Sequence, residues 1–300
     1  MRERFDELQR QAEHAFAGGD LENSLELFEA AESLARTHGE VDLADRAFCN
    51  RCAVLIELEA GQGQIPELKR ILLRSQDSKT RYLAAYYTAE ALRGDDQFDR
   101  ALTYARRATE LADELDEGPA RAASANLVGL IAMRCCEFSE AEQAFADAFK
   151  NYDGAGGYHE IMAAQVQDNL GYVQMCCGRL QEGLRLCEAA RLAFDNLGAR
   201  HYVYETLQDL CYGYILDDQL ERAERCGDEA FQLALEFGDE LIAKNCLFLL
   251  SEIAVRRGDT FRARRFLREL ISHYTDVGVS DEIVEVFLAT DLTTVVNLRG

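Results

Sequence analysis

The 300-residue chain carries 54 Asp and Glu against 32 Lys and Arg, a formal net charge of −22 at pH 7. A surface of this charge repels nucleic-acid phosphates and anionic lipid headgroups, so we expect neither as a partner, whereas a basic protein or peptide would be attracted. Hydrophobic residues make up 48% of the chain and there are 2 prolines, which argues against disorder and favours helices throughout.

The first residues, MRERFDELQRQ, are charged and contain no apolar core of a signal peptide. No stretch reaches the roughly 18 uninterrupted apolar residues that a membrane span requires. Ten cysteines in such a chain are expected to be reduced thiols. These features together predict a cytoplasmic protein.

A pattern of 25 residues recurs six times along the chain, and the later copies follow one another at intervals of about forty residues. Each copy reads as two apolar helical stretches joined by a tight polar turn, for example GGD at Gly18–Asp20 and RGD at Arg257–Asp259. Glycine is expected to end the first helix of each pair and aspartate to cap the second. The longer first interval leaves room for a degenerate repeat near residues 47–75. The copies begin at Arg10, Tyr87, Leu127, Asn169, Asp209 and Leu249.

Three positions of the pattern hold small side chains, which allow two helices to approach closely where they cross. The third position holds Ala12, Ala89, Gly129, Gly171, Cys211 and Ser251. The fifteenth holds Ser24, Ala101, Ala141, Gly183, Ala223 and Ala263. The twenty-second holds Ala31, Ala108, Ala148, Ala190, Ala230 and Leu270.

Two cysteine pairs, Cys135–Cys136 and Cys176–Cys177, fall in the turns of the pattern. Zinc needs four ligands in tetrahedral order, and the side chains of adjacent cysteines point apart, so we predict no metal site here. Redox sensitivity of these turn cysteines remains as a remote alternative. The CNRC sequence at Cys49–Cys52 has redox spacing but helical surroundings, which favours buried small side chains. No catalytic motif is present, and we predict no enzyme activity and no cofactor.

The spacing of small residues, the large apolar residue after each turn and the Gly-Asp turns resemble the tetratricopeptide repeat (TPR) family. The resemblance implies an all-α, right-handed solenoid of about seven helix pairs over residues 1–274, followed by a capping helix and tail over residues 275–300. The period is nearer forty residues than the family's ~34, and the family's proline near the end of the second helix is absent. Forty-residue versions are similar to those of bacterial peptide-pheromone receptors and motor-protein cargo adaptors.

In the resembled family, fixed positions of each first helix line a concave groove. These positions are rich in amides and tyrosines, which suit a peptide laid along the groove because amides both donate and accept hydrogen bonds. In the family, a clamp for a C-terminal carboxylate needs inward lysine and arginine. The corresponding positions here hold neither, and the resemblance therefore implies no such clamp. They hold Ala123, Leu127, Gln165, Asn169, Glu205 and Asp209. The predicted peptide-binding residues are Asn126, Gln165, Asp168, Asn169, Tyr172, Gln208, Tyr212 and Asn245.

Six arginines crowd into residues 256–269, which hold only two acids. This cluster predicts either a docking patch for an acidic partner or for a second copy of the chain, or an ordinary solvated helix face. Its members are Arg256, Arg257, Arg262, Arg264, Arg265 and Arg268.

The sequence thus favours a non-enzymatic interaction scaffold or adaptor that binds a peptide segment of a partner protein in its groove. The alternative is a peptide-responsive sensory regulator, similar to the pheromone receptors, that acts through a second protein. A redox- or metal-dependent protein that uses the turn cysteines is the remote third hypothesis.

Overall fold

The computed structural model describes residues 1–152, 158–274, 280–289 and 297–299. Ala, Leu, Glu and Arg dominate the sequence, and these strong helix formers produce helices along the described chain. The α-helices are α1 Arg2–Ala17, α2 Leu21–Thr37, α3 Val41–Glu57, α4 Ile65–Arg74, α5 Ser78–Arg93, α6 Phe98–Leu115, α7 Gly118–Arg134, α8 Phe138–Tyr152, α9 Tyr158–Cys176, α10 Leu180–Leu197, α11 Arg200–Leu216, α12 Leu220–Phe237, α13 Glu240–Arg256, α14 Thr260–Ser272 and α15 Asp281–Leu288.

The helices follow one another as seven pairs, α1/α2 to α13/α14, and α15 comes after the last pair. The degenerate repeat near residues 47–75 corresponds to α3 and the short α4, which are separated by a 3-10 turn at Gly61–Gln64. This arrangement confirms the prediction of an all-α chain of stacked helix pairs with a C-terminal helix. No described helix is long and apolar enough to cross a membrane.

The chain divides into two compact units, Met1–Cys135 with α1–α7 and Cys136–Gly300 with α8–α15. We call them unit 1 and unit 2. The division falls inside the predicted solenoid. The boundary predicted between residues 274 and 275 adjoins residues 275–279, which lie outside the described residues, and it stays a prediction.

The three positions of small residues are buried throughout the six copies. Their role is clearest at Gly171 of α9 and Gly183 of α10. A Cβ atom added to Gly171 would lie 2.6 Å from Cys187 Sγ and 2.8 Å from the carbonyl oxygen of Gly183. The backbones of α9 and α10 therefore approach so closely that neither position has room for a methyl group.

Each turn of the pattern places one residue in the left-handed backbone region. Glycine, which has no Cβ, adopts it readily, whereas other residues pay a steric cost there. The predicted Asp caps are present at only some of the turns. Asp20 caps α2 and Asp259 caps α14, each by accepting from a backbone N–H of its helix. Helices α6 and α12 instead begin after Gln97 and Gln219, whose side chains form no cap. The left-handed residues are Gly19, Asp96, Cys136, Gly178, Asp218 and Gly258.

Helix α15 packs against α14 and buries Val284 completely. Ser280 caps its first turn by accepting from the Ile283 N–H. Two ion pairs join the two helices, Arg264 to Glu285 at 2.7 Å and Arg268 to Asp281 at 2.5 Å. The short tail after α15, predicted without a definite structure, lies outside the described residues over 290–296, but residues 297–299 are described.

Candidate functional site

The candidate site lies in unit 2, on the surface formed by α9, α11 and α13, the first helices of three successive pairs. We call this surface the first-helix face. Residues Asn297–Arg299 of the chain itself lie on it, and Leu298 is only 3% exposed. Side chains that the sequence assigned to the binding of a partner's peptide thus contact a distant segment of the same chain.

Two side chains of the first-helix face bind the backbone of this segment. The Tyr172 hydroxyl accepts from the Leu298 N–H at 3.0 Å and donates to Asn297 Oδ1 at 3.0 Å. Asn245 Nδ2 donates to the Leu298 carbonyl oxygen at 2.9 Å. The segment adds a bond of its own, from the Arg299 N–H to Asn297 Oδ1 at 3.1 Å, which forms an Asx turn. The face therefore satisfies both backbone groups of Leu298 and fixes a compact turn.

The Arg299 guanidinium lies among three carboxylates, which we call the acidic pocket: Asp168, Glu205 and Asp209. Nη2 is 2.6 Å from Asp168 Oδ2 and 2.7 Å from Asp209 Oδ2, and Nη1 is 2.8 Å from Glu205 Oε2. Glu205 and Asp209 are four residues apart and so share one face of α11. All three guanidinium nitrogens are used, because Nε also donates to Asp209 Oδ2 at 3.1 Å.

Amide side chains link the acidic pocket to α13. Gln208 Nε2 donates to Asp209 Oδ1 at 3.3 Å, and Asn245 Nδ2 donates to Gln208 Oε1 at 2.9 Å. Since Asn245 also binds Leu298, the segment's backbone and its arginine are held by one connected network. Gln208 and Asp209 are both fully buried, so the bond between them forms away from water, where leaving it unmade would be costly.

Burial and mutual repulsion set the protonation of the pocket. Desolvation and the charge of Asp209 raise the pKa of Asp168 to about 7, although Arg299 acts in the opposite direction. Desolvation also raises the pKa of Asp209, again against the effect of Arg299. Burial alone would lower the pKa of Arg299, but the carboxylates outweigh it and hold the pKa well above its usual value. The pocket therefore contains a permanent cation and a carboxyl group that titrates near neutrality.

We expect Asp168 to make the stability of the protein fall as the pH rises from about 4 to about 7. Because the pKa of Asp168 is raised by folding, the folded state retains its proton over a range in which the unfolded chain has lost it. The Asp168→Asn variant cannot titrate, so the wild type should lose stability relative to it by on the order of 1 kcal/mol per pH unit across this window. Urea unfolding of both proteins at several pH values measures the difference, and parallel profiles would contradict the assignment.

Tyr172 and Tyr212 lie side by side on the same face, with ring centroids 6.0 Å apart. Tyr172 is 1% exposed, and burial raises the pKa of its hydroxyl above the usual range. A hydroxyl that stays protonated can donate to Asn297 Oδ1 over the whole working pH range. The aromatic pair thus combines an apolar surface with a permanent hydrogen-bond donor.

The structure brings together most of the residues predicted in unit 2. Asp168, Tyr172 and Asn245 contact the segment directly, Gln208 binds Asn245, and Tyr212 contacts Tyr172. The other two, Gln165 and Asn169, also lie on α9: Gln165 is half-buried and Asn169 is buried. Asn126 lies on α7 in unit 1, and its Oδ1 is buried without a hydrogen bond from a described residue. That these residues bind a partner stays a prediction.

The predicted arginine patch is largely neutralised by acids of unit 2. Arg264 and Arg268 hold α15. Arg257 and Arg262 share Glu224 at 2.5 and 2.7 Å, and Arg256 pairs with Glu252 at 2.7 Å. Arg265 lies over the Phe266 ring at 5.0 Å. These pairs account for five of the six arginines, and docking of a partner at this surface stays a prediction.

One group of described residues has the chemistry to hold a metal: Asp168, Cys187 and Asp209, whose ligand atoms lie within 4.8 Å of one another. Burial raises the pKa of the Cys187 thiol well above its ordinary value, which disfavours the thiolate that metals bind. The Arg299 guanidinium contacts both carboxylates of the group. Because a guanidinium already binds these two carboxylates, we assign no metal to the group.

The turn cysteines differ in their exposure. Cys136 and Cys177 are exposed, whereas Cys135 and Cys176 are half-buried. Cys136 occupies the left-handed turn position, while Cys177 precedes Gly178, which occupies it in the next copy. Position in the turn therefore accounts for the one-residue offset between the two cysteine pairs. Redox chemistry at these sites stays a remote alternative.

Sequence reasoning missed Arg299 as the occupant of the site. It placed Glu205 and Asp209 on the inward positions but used them only to argue against a carboxylate clamp. One signal was available, since Arg299 is the only basic residue among residues 275–300 and three inward positions hold acids. Periodicity alone does not show that a residue 90 positions downstream of Asp209 meets those acids.

Solved structures with a similar fold support the repeat architecture. RapI in its apo form matches with a TM-score of 0.70 at 11% identity, over 91% of this chain and 78% of that one. NprR in complex with its cognate peptide NprX matches with a TM-score of 0.68 at 13% identity, over 96% and 81%. The STAND protein PH0952 from Pyrococcus horikoshii, which has a tetratricopeptide repeat sensor, matches with a TM-score of 0.67 at 16% identity, over 93% of this chain and 44% of that one.

This chain therefore spans less than half the length of the PH0952 chain. Identities this low show a shared fold and nothing about shared ligands. No protein-family model matches the sequence, and no curated protein matches it. The fold is that of tetratricopeptide repeat proteins, which confirms the resemblance read from the sequence.

Proposed function

We propose that this tetratricopeptide repeat protein is a non-enzymatic interaction scaffold that binds a short peptide segment of a partner protein on the first-helix face of unit 2. The observation that carries the proposal is the hydrogen bonding of Leu298, whose backbone N–H and C=O are both bound by side chains of the face. Backbone contacts of this kind provide affinity for any peptide, and pockets for its side chains provide specificity.

The first-helix face also holds its binding side chains on regular helices. Tyr172, Gln208 and Asn245 project from packed helices, and Tyr172 and Gln208 are almost completely buried. A receptor whose contacting groups are already ordered loses little conformational entropy on binding.

Panning of random phage-displayed peptides on the immobilised full-length Arg299→Ala variant tests this proposal, because the variant weakens the chain's own segment. We expect enrichment of a common short motif that is lost when Tyr172→Phe or Asn245→Ala is added. Tyr104→Phe, a tyrosine substitution in unit 1, is the matched control and should leave the enrichment unchanged. No enrichment, or enrichment that survives both added substitutions, would overturn the proposal.

The alternative of a peptide-responsive regulator rests on the fold likeness to NprR, a structure solved with a bound peptide. A regulator must change its own conformation when the ligand binds, whereas a scaffold need not. Small-angle scattering with and without a peptide from the panning separates the two. A change in the radius of gyration favours the regulator, and an unchanged radius favours the scaffold.

A further inference from the structure

We propose that the acidic pocket is a subsite for arginine and that residues Asn297–Arg299 are its intramolecular occupant. A partner would then bind by displacing this segment with an Asn–apolar–Arg sequence of its own. The inference rests on the proposed function and names the class of ligand: a short peptide turn with an arginine side chain, preceded by an apolar residue and an asparagine.

The geometry of the pocket selects arginine over lysine. Each of the three guanidinium nitrogens of Arg299 is within hydrogen-bond distance of a carboxylate oxygen, and the three carboxylates come from two helices. A lysine ammonium carries a single nitrogen and cannot reach the same set of oxygens, whereas the planar guanidinium matches carboxylates in a fork. Neutral side chains would leave the buried Asp209 uncompensated.

The charge of the pocket exceeds that of its occupant. Three carboxylates face one guanidinium. Any peptide drawn to the face must therefore bring a cation to this point. Among residues 275–300 only Arg299 supplies one, which explains why this part of the chain docks there in the register observed.

The occupant is placed so that it can exchange with a competitor. The described contacts between the segment and the face are made by only three residues of the segment, Asn297–Arg299. The Glu205 side chain at the rim of the pocket is 37% exposed, so the pocket reaches solvent. A partner with the same three residues would meet the same contacts. A tethered segment acts at an effective concentration of about millimolar and so weakens the apparent affinity of a free peptide without changing the site.

The test uses a fluorescein-labelled, amidated peptide with the sequence of residues 293–300, TTVVNLRG, added to the full-length protein. Fluorescence anisotropy should show at least tenfold tighter binding to the Arg299→Ala variant than to the wild type. Replacing the peptide's arginine with lysine should weaken binding to Arg299→Ala at least fivefold. Replacing it with neutral citrulline should weaken this binding at least twentyfold. Adding Asp209→Asn to the variant should weaken binding of the arginine peptide more than that of the citrulline peptide.

A second variant guards against a folding defect in Arg299→Ala. Leu298→Gly keeps the cation but removes the buried apolar side chain of the segment, and it should bind the peptide more tightly than the wild type does. Circular dichroism at 222 nm confirms that each variant retains its helices. Binding of the peptide should also raise the melting temperature of Arg299→Ala and leave that of the wild type unchanged.

The outcomes separate this inference from the proposed function. If peptides selected by panning bind the wild type and Arg299→Ala equally, the intramolecular occupant is wrong and the peptide-binding function stands. If no peptide binds any variant, both fail. If the wild type forms a dimer that is lost on Arg299→Ala in light scattering over a range of concentrations, the segment belongs to a second copy, which overturns the intramolecular assignment.

Discussion

The free energy of unfolding of the Arg299→Ala variant is expected to be about 3 kcal/mol lower than that of the wild type at pH 8. Arg299 is the only cation that contacts the acidic pocket among the described residues, and its side chain is 11% exposed. Removing it leaves Asp168 and Asp209, 4% and 0% exposed, without a partner of opposite charge. The expected loss is at the lower end for a broken buried pair, because the segment can leave and admit water to the carboxylates.

The loss should shrink as the pH falls toward 5. Arg299 opposes the rise of the pKa of Asp168 and Asp209, so in its absence both groups hold protons to higher pH in the folded state. A protonated carboxyl group needs no cation, and folding then gains stability as protons are taken up. Urea unfolding of wild type and variant at pH 5 and pH 8 measures this difference. A loss that does not depend on pH would show that the pocket carboxylates are not responsible.

Arg268→Ala is the matched control for this prediction. Arg268, like Arg299, follows a leucine and pairs with an aspartate, in this case Asp281. The side chains of Arg268 and Asp281, however, are 47% and 79% exposed. Exposed ion pairs are screened by water and contribute little. We therefore expect Arg268→Ala to lower the free energy of unfolding far less than Arg299→Ala does, and by the same amount at pH 5 and pH 8. A loss equal to that of Arg299→Ala would mean that the tail is held by general charge attraction and has no specific site.

The Gly183→Ala variant is expected to lose about 3 kcal/mol of stability or to misfold unit 2. The added Cβ would lie 2.5 Å from the carbonyl oxygen of Gly171 and 3.0 Å from the Met175 backbone nitrogen, and it would also collide with Met175 Cγ. Two of these atoms belong to the backbone of α9, so relief requires the helices to separate. The intrinsic helix propensity of alanine favours the substitution by about 1 kcal/mol, which is too little to offset the steric cost.

Gly94→Ala is the control for the steric argument. It is a helix-end glycine in unit 1 whose added Cβ would meet only ordinary contacts, 3.7 Å from the Glu90 oxygen and 3.9 Å from the Ala91 oxygen. We expect its stability to stay within about 0.5 kcal/mol of the wild type. Thermal and urea unfolding compare the two variants. Equal effects would show that the crossing of α9 and α10 tolerates a wider separation than the structure indicates.

The helix pairs could be predicted from the sequence because their causes are local and repeated. Alanine, leucine and glutamate favour helices whatever their neighbours, and small residues recur where helices cross. Because the pattern recurs six times, single exceptions do not hide it. Asp96 and Cys136 stand where other turns have glycine, and the neighbouring copies still align. The caps were predicted less well, since the aspartates of two turns occupy the left-handed position and leave Gln97 and Gln219 to start the next helix.

The candidate site was predicted only as a surface. The pattern placed Asp168, Tyr172, Gln208 and Asn245 on first helices, because neighbouring pairs repeat the same inward positions. It did not predict which of these would be used together, since the link from Asn245 through Gln208 to Asp209 depends on side-chain distances across two helices. The arginine patch shows the same limit, because the acids that neutralise it lie on α12, α13 and α15.

The sequence by itself determined the helical pairs, their turns and the polar character of one face, since these follow from short-range propensity and from a period. Only the tertiary structure decided that Arg299 fills the acidic pocket. That contact joins residues 90 and 131 positions apart. It forms because two buried carboxylates, one on α9 and one on α11, require a cation, and charge complementarity between distant residues leaves no periodic trace in the sequence.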